Sequence, residues 1–160
     1  MKRARQDSRT VGVQPARLKG LLKELVDIYS PSGKEEEITE YVEGYLKNHG
    51  LRVTKQEVDE NRCNLVAFPE EENDVELCFV GHLDTVTAHD LEDFGFNEED
   101  DTIFGLGSAD MKAGCAAMIE AFTVLAGRKS PFPPVGLALV VGEEEDSSGA
   151  KALIREYGFH

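Results

Sequence analysis

Three short stretches hold the residues best suited to chemistry: Gly81-His82-Leu83-Asp84-Thr85-Val86, Gly105-Leu106-Gly107-Ser108-Ala109-Asp110-Met111-Lys112, and Gly142-Glu143-Glu144-Glu145-Asp146. An imidazole followed two positions on by a carboxylate is the pairing a metal-binding histidine uses to fix its ring and tautomer. Each stretch also has a plainer reading. His82 could be a satisfied core histidine, Asp110 an ordinary helix N-cap, and Glu143 to Asp146 a solvated acidic turn. Found together, at two strand ends and one helix start, they point to a site rather than to coincidence.

The elements that must position them follow from the apolar pattern. Val75 to Val80 and Gly136 to Val141 are nearly continuous apolar runs, and each leads straight into one of the motifs. Such runs suit strands covered on both faces, and in open α/β sheets the carboxyl ends of the strands form the ligand crevice. Leu51 to Val58 and Asn64 to Phe68 add strand character. Met111 to Ala126 reads as a long helix, which places Asp110 at its N-terminus where a carboxylate can cap free amides. Upstream, Leu18, Leu21, Leu22, Leu25, Val26, Ile28 and Tyr29 form a helical stripe starting at Pro15 and closed by Ser30 to Gly33. A second helix is predicted with Ser32 as its cap, Glu35 to Glu37 in its first turn, and Ile38, Tyr41, Val42, Tyr45 and Leu46 on its buried face. Asn48, His49 and Gly50 end it, with His49 as a C-terminal capping residue. The fold class predicted is α/β, with a mostly parallel central sheet flanked by helices.

Composition narrows the class of protein. The 160 residues carry a formal charge of −14, so most of the surface would repel a nucleic-acid backbone. No apolar run is long enough to cross a bilayer and no secretory leader is recognisable, which predicts a cytoplasmic protein with neither nucleic-acid nor membrane partner. Cys63, Cys78 and Cys115 are odd in number and widely spaced, as suits reduced thiols. Lys2, Arg3, Arg5, Arg9, Arg17 and Lys19 face only Asp7 at the start of the chain, so residues 1–14 are expected to be a disordered basic terminus and 15–160 one domain.

GHLDTV, GLGSADMKAG and GEEEDSSGA, in this order and spacing, resemble the successive signatures of the M20 metallopeptidases and deacylases, a family that includes acetylornithine deacetylase, succinyl-diaminopimelate desuccinylase, aminoacylase and glutamate carboxypeptidases. The resemblance extends from Pro15 to His160, and PSGKEEEITEYVEGYL is similar to the family's paired N-terminal helices. It implies a zinc-peptidase-like catalytic domain with two Zn2+, Co2+ or Mn2+ being alternatives. His82 would bind one ion, Asp110 would bridge both, Glu144 would bind the other, Glu143 would be the general base, and Asp84 would orient His82. A bridging carboxylate can hold two ions roughly 3.5–4 Å apart, where they acidify a shared water. The register is open: Glu144 as base and Glu145 as ligand is the alternative. The implied substrates are N-acyl amino acids or short peptides, hydrolysed at the amide bond. Leu106 stands where the family often has Arg, Phe94 and Phe96 where it commonly has Trp, and His89 reads as a loop residue.

The resemblance also implies parts that do not fall within Pro15 to His160: a further acidic ligand, a lid and dimerisation domain, and a late histidine. The catalytic domain is therefore expected to be incomplete and inactive alone, with an exposed sheet edge that favours self-association. A non-catalytic metal-binding or interaction module that pairs with another chain is the alternative. A different co-catalytic metallopeptidase family on a similar fold fits the Gly105 to Lys112 and Glu143-Glu144 motifs less well.

Overall fold

The computed structural model describes residues 12–68, 75–127 and 134–158. Helix α1, Pro15–Asp27, has proline in its first turn, where no N–H is missed, and buries Leu21, Leu22, Leu25 and Val26. Helix α2, Glu36–Asn48, carries Glu36 and Glu37 in its first turn and Lys47 in its last, which suits the helix dipole, and buries Ile38, Thr39, Val42 and Leu46. His49 ends it as predicted, its Nδ1 lying 2.8 Å from the Tyr45 carbonyl oxygen. Ser32 is not its cap. The helix begins a turn later than the sequence suggested, with Glu35 at the N-cap position and no side-chain capping bond, because the Ser32 hydroxyl is engaged elsewhere.

Strands β1 (Thr54–Glu57), β2 (Cys63–Ala67), β3 (Leu77–His82) and β6 (Val135–Val140) form a sheet in the order β1-β2-β6-β3. Helix α3, Ala113–Ala126, makes the crossover between β3 and β6, which run parallel with Leu77 opposite Val135 and His82 opposite Val140. The β1–β2 and β2–β6 pairs are antiparallel. The α/β class and flanking helices hold, but the expected mostly parallel sheet is a mixed one. Continuous burial misled that expectation: β6 is buried along its whole length while sitting between one parallel and one antiparallel neighbour. β3, by contrast, lies at the end of the order and leaves Leu77 52% and Val80 44% exposed, so it is not covered on both faces.

Two elements escaped the sequence reading. A hairpin of β4 (Asn97–Glu99) and β5 (Thr102–Phe104) is largely exposed and shows no apolar alternation. Helix α4, Ser148–Tyr157, buries Gly149 and Leu153 against the sheet and follows the acidic motif directly. The core joins α1, α2, α3 and the sheet around Leu25, Ile38, Leu65, Ile119, Leu137 and Leu139. Among the described residues no helix is long and apolar enough to cross a membrane. Cys63, Cys78 and Cys115 are separate free thiols. The predicted basic terminus falls almost wholly on residues outside the described ones.

Candidate metal centre

His82 is the last residue of β3, and close packing beneath it fixes the strand. A side chain at Gly81 would sit 2.5 Å from Met118 Cε and 2.9 Å from Cys115 Sγ, so glycine is what lets α3 approach. Cys115 donates to the His82 carbonyl at 3.0 Å. Burial pushes its thiol up to about 12, which makes it a packing group rather than a nucleophile. The His82 ring is 5% exposed. Its Nδ1 lies 3.0 Å from the Asp84 carbonyl oxygen and 3.6 Å from Asp84 Oδ1, while Nε2 faces the other way, 3.1 Å from Asp110 Oδ1 and 3.8 Å from Glu143 Oε2.

Asp110 does not cap α3. It precedes the helix in an irregular turn, Ser108–Lys112, with extended backbone at Asp110 itself (φ −130°, ψ 97°), and makes no capping bond. Its side chain is 78% exposed and turned toward His82. The turn is secured from behind by Lys112, which is buried and donates from Nζ to the Ile28 carbonyl at 2.8 Å. Burial lowers the Lys112 pKa to about 8.

The third motif leaves β6 at Gly142, whose φ of +71° is in the left-handed region. A Cβ there would meet Ser148 Oγ at 2.5 Å and Arg62 Nη1 at 2.7 Å, so the bend needs glycine for space as well as for conformation. Asn64, fully buried, holds both ends of this loop: its Oδ1 accepts from the Val141 amide at 3.2 Å and its Nδ2 donates to the Gly149 carbonyl at 2.8 Å. Glu144 thus comes back toward His82 and Asp110, whereas Glu145 is exposed. Ligand atoms of His82, Asp110 and Glu144 all lie within 4.8 Å of one another, the one such three-donor group among the described residues.

Electrostatics agree with a site built for positive charge. Burial works against a proton on His82, but the Asp84 carboxylate and carbonyl and Asp110 outweigh it and raise the imidazole to about 9. Burial likewise opposes ionisation of Asp84, yet His82, Ser32 and the amides of Glu144 and Glu143 hold it at about 2. Glu144 is shifted up, by burial first and then by Asp110, Glu143 and Asp84, with His82 pulling the other way. One imidazole nitrogen and two carboxylates suit a divalent ion of the zinc kind.

The family model for peptidase family M20/M25/M40 matches residues 78–160. The chain belongs to that family. It is 34% identical over 137 residues to an M20 domain-containing protein of Schizosaccharomyces pombe, covering 83% of this chain and 33% of that protein. It is 30% identical over 146 residues to the succinyl-diaminopimelate desuccinylase of Rickettsia typhi, covering 84% of this chain and 38% of the relative. Among solved structures, a tripeptidase from Staphylococcus aureus superposes with a TM-score of 0.75 at 30% identity, covering 91% of this chain and 41% of that one. The chain thus spans about a third of the length of these curated relatives.

All five residues singled out by sequence, His82, Asp84, Asp110, Glu143 and Glu144, meet at one end of the sheet. Ser32, Arg62, Asn64 and Lys112 were missed as supports. For Asn64 the only signal was a polar residue opening an otherwise apolar strand, which by itself is unremarkable.

Proposed function

We propose that this chain supplies metal ligands and the general base of a metal-dependent hydrolase that cleaves the amide bond of N-acyl amino acids or short peptides. The observation that carries the reading is the convergence of His82, Asp110 and Glu144 within 4.8 Å, with Glu143 Oε2 beside the same imidazole nitrogen. His82 and Glu144 are read as ligands of separate ions, Asp110 as the carboxylate shared between them, and Asp84 as the group that orients His82. The presence of Glu144 rather than Glu145 in the three-donor group favours this register over the alternative. Zinc would supply Lewis-acid polarisation of the scissile carbonyl and an acidified water. Glu143, whose Oε2 lies 3.8 Å from His82 Nε2, would accept the water's proton and return it to the leaving amine. Relatives named desuccinylase and tripeptidase have in common an amide next to an amino acid, and this supports the substrate class. The free thiols support a reducing compartment, the cytoplasm, as the place of action.

Divided in this way, each ion of the proposed pair has two protein donors here and needs ligands beyond them. Isothermal titration of the metal-free chain with Zn2+, beside a His82→Ala and Asp110→Ala double mutant, tests the reading. Stoichiometric binding by the wild type that the mutant loses is expected; no binding by either would overturn it. Specific zinc binding by the chain together with hydrolysis only in the presence of added family sequence would fit the enzyme reading. A stable hetero-oligomer that binds zinc and never turns over would favour the non-catalytic module.

A further inference from the structure

The segment that joins α1 to α2 lies directly alongside the residues that follow β3. The Thr85 amide donates to the Ser30 carbonyl at 2.9 Å, the Ser32 amide to the Thr85 carbonyl at 3.2 Å, and the Ser30 hydroxyl to the Leu83 carbonyl at 3.0 Å. Ser32 then does more than close a turn, because its hydroxyl donates to Asp84 Oδ2 at 2.6 Å. That same oxygen accepts from the Glu144 backbone amide at 3.0 Å. Asp84 is fully buried, and its other oxygen faces His82 Nδ1 at 3.6 Å.

One carboxylate therefore lies between both arms of the centre: Oδ2 accepts from the Glu144 amide after β6, and Oδ1 stands 3.6 Å from His82 Nδ1, whose hydrogen bond goes to the Asp84 carbonyl oxygen. Hydrogen bonds to Oδ2 select the rotamer that holds both oxygens in these places. Ser32 is the group that reaches Asp84 from a third direction. Building on the metal-site reading above, we infer that Ser32 is a positioning residue: its hydroxyl locks Asp84 so that His82 and Glu144 are held in register as ligands. Without that hydroxyl, Asp84 can turn toward His82 alone and release the Glu144 amide.

Amide exchange in the metal-free chain, measured by NMR, tests this independently of metal. Ser32→Ala is expected to speed exchange at Glu144 about tenfold while leaving Ala138, buried inside β6, unchanged; Ser32→Thr, which keeps the hydroxyl, is expected to behave as wild type. In parallel, Zn2+ affinity measured by competition with a chromogenic chelator is expected to fall about 10–100-fold in Ser32→Ala and to be restored in Ser32→Thr. The inference is overturned if Glu144 exchange is the same in Ser32→Ala, if Ala138 speeds up equally, which marks general loosening, or if Ser32→Thr is no better than Ser32→Ala. If the wild type takes up no zinc, the functional reading fails while the exchange result still decides the role of Ser32.

Discussion

His82 and Asp84 show how single residues prepare a metal site and what that costs in the metal-free protein. His82 is raised to about 9, against about 6.5 in an unfolded chain. The stabilisation it brings is complete below pH ~6.5 and is lost as pH rises through about 9. Asp84, lowered to about 2, acts in the opposite sense: its contribution is present above pH ~4 and is lost as pH falls through about 2. Urea denaturation of metal-free protein is therefore expected to show a midpoint that drops between pH 6 and pH 8, below the range where Lys112 acts in the opposite sense, and a smaller drop in His82→Gln. Because zinc must displace the His82 proton, its apparent affinity should rise about tenfold per pH unit up to about 9 and then level off, as titrations at several pH values would show. Glu143→Gln separates binding from chemistry. Under the proposed function, turnover should fall on the order of 10²–10⁴-fold, with zinc affinity nearly unchanged, since the amide keeps the shape but cannot take a proton. The motifs were legible in the sequence because they occur together at two strand ends and one helix start, while the separate roles of His82, Asp84 and Glu143 came from the family resemblance. Ser32 was not, because a serine in a Pro-Ser-Gly turn has a sufficient local explanation as a breaker or cap.

At the scale of elements, the site depends on a sharp bend after β6 that sequence patterning could locate but not explain. In the sequence Gly142 only opens the acidic motif, whereas its left-handed φ and the nearness of Arg62 and Ser148 make it the point where the glutamate loop is aimed. Gly142→Ala should destabilise the chain by about 1–3 kcal/mol from the strained backbone and the collision together, measurable as a shift in urea midpoint, and should weaken zinc binding through the misplaced Glu144. The helices α1 and α2 were recoverable to within a few residues because their buried residues recur at helical spacing, and α3, β2, β3 and β6 because each is an apolar run between polar or breaker residues. The β4–β5 hairpin was not, since its strands are short, acidic and exposed. Strand direction was not either: apolar content reports burial, and only the short β1–β2 connection and the long β3–α3–β6 crossover distinguish antiparallel from parallel neighbours.

For the molecule as a whole, the consequence lies at β3. It pairs with β6 on one side, and among the described strands nothing pairs with its other side. Natural edge strands are normally blunted by charge, proline or a covering element, but β3 reads Leu77-Cys78-Phe79-Val80-Gly81-His82 and exposes Leu77 and Val80. A free row of backbone donors and acceptors flanked by apolar side chains is a template for another strand, and the high net charge of −14 opposes association only at long range, where salt screens it. The chain is therefore expected to self-associate through this edge. Sedimentation velocity should show a dimer fraction that rises with concentration and with ionic strength. Val80→Lys places a charge on the exposed edge without disturbing the core, so it should return the chain to monomer with its melting curve intact. Ile154→Ser removes an equally exposed apolar side chain from α4, away from the strand, and should leave the dimer unchanged. If the α4 variant dissolves the dimer and the β3 variant does not, the contact is a helix face and the edge is idle.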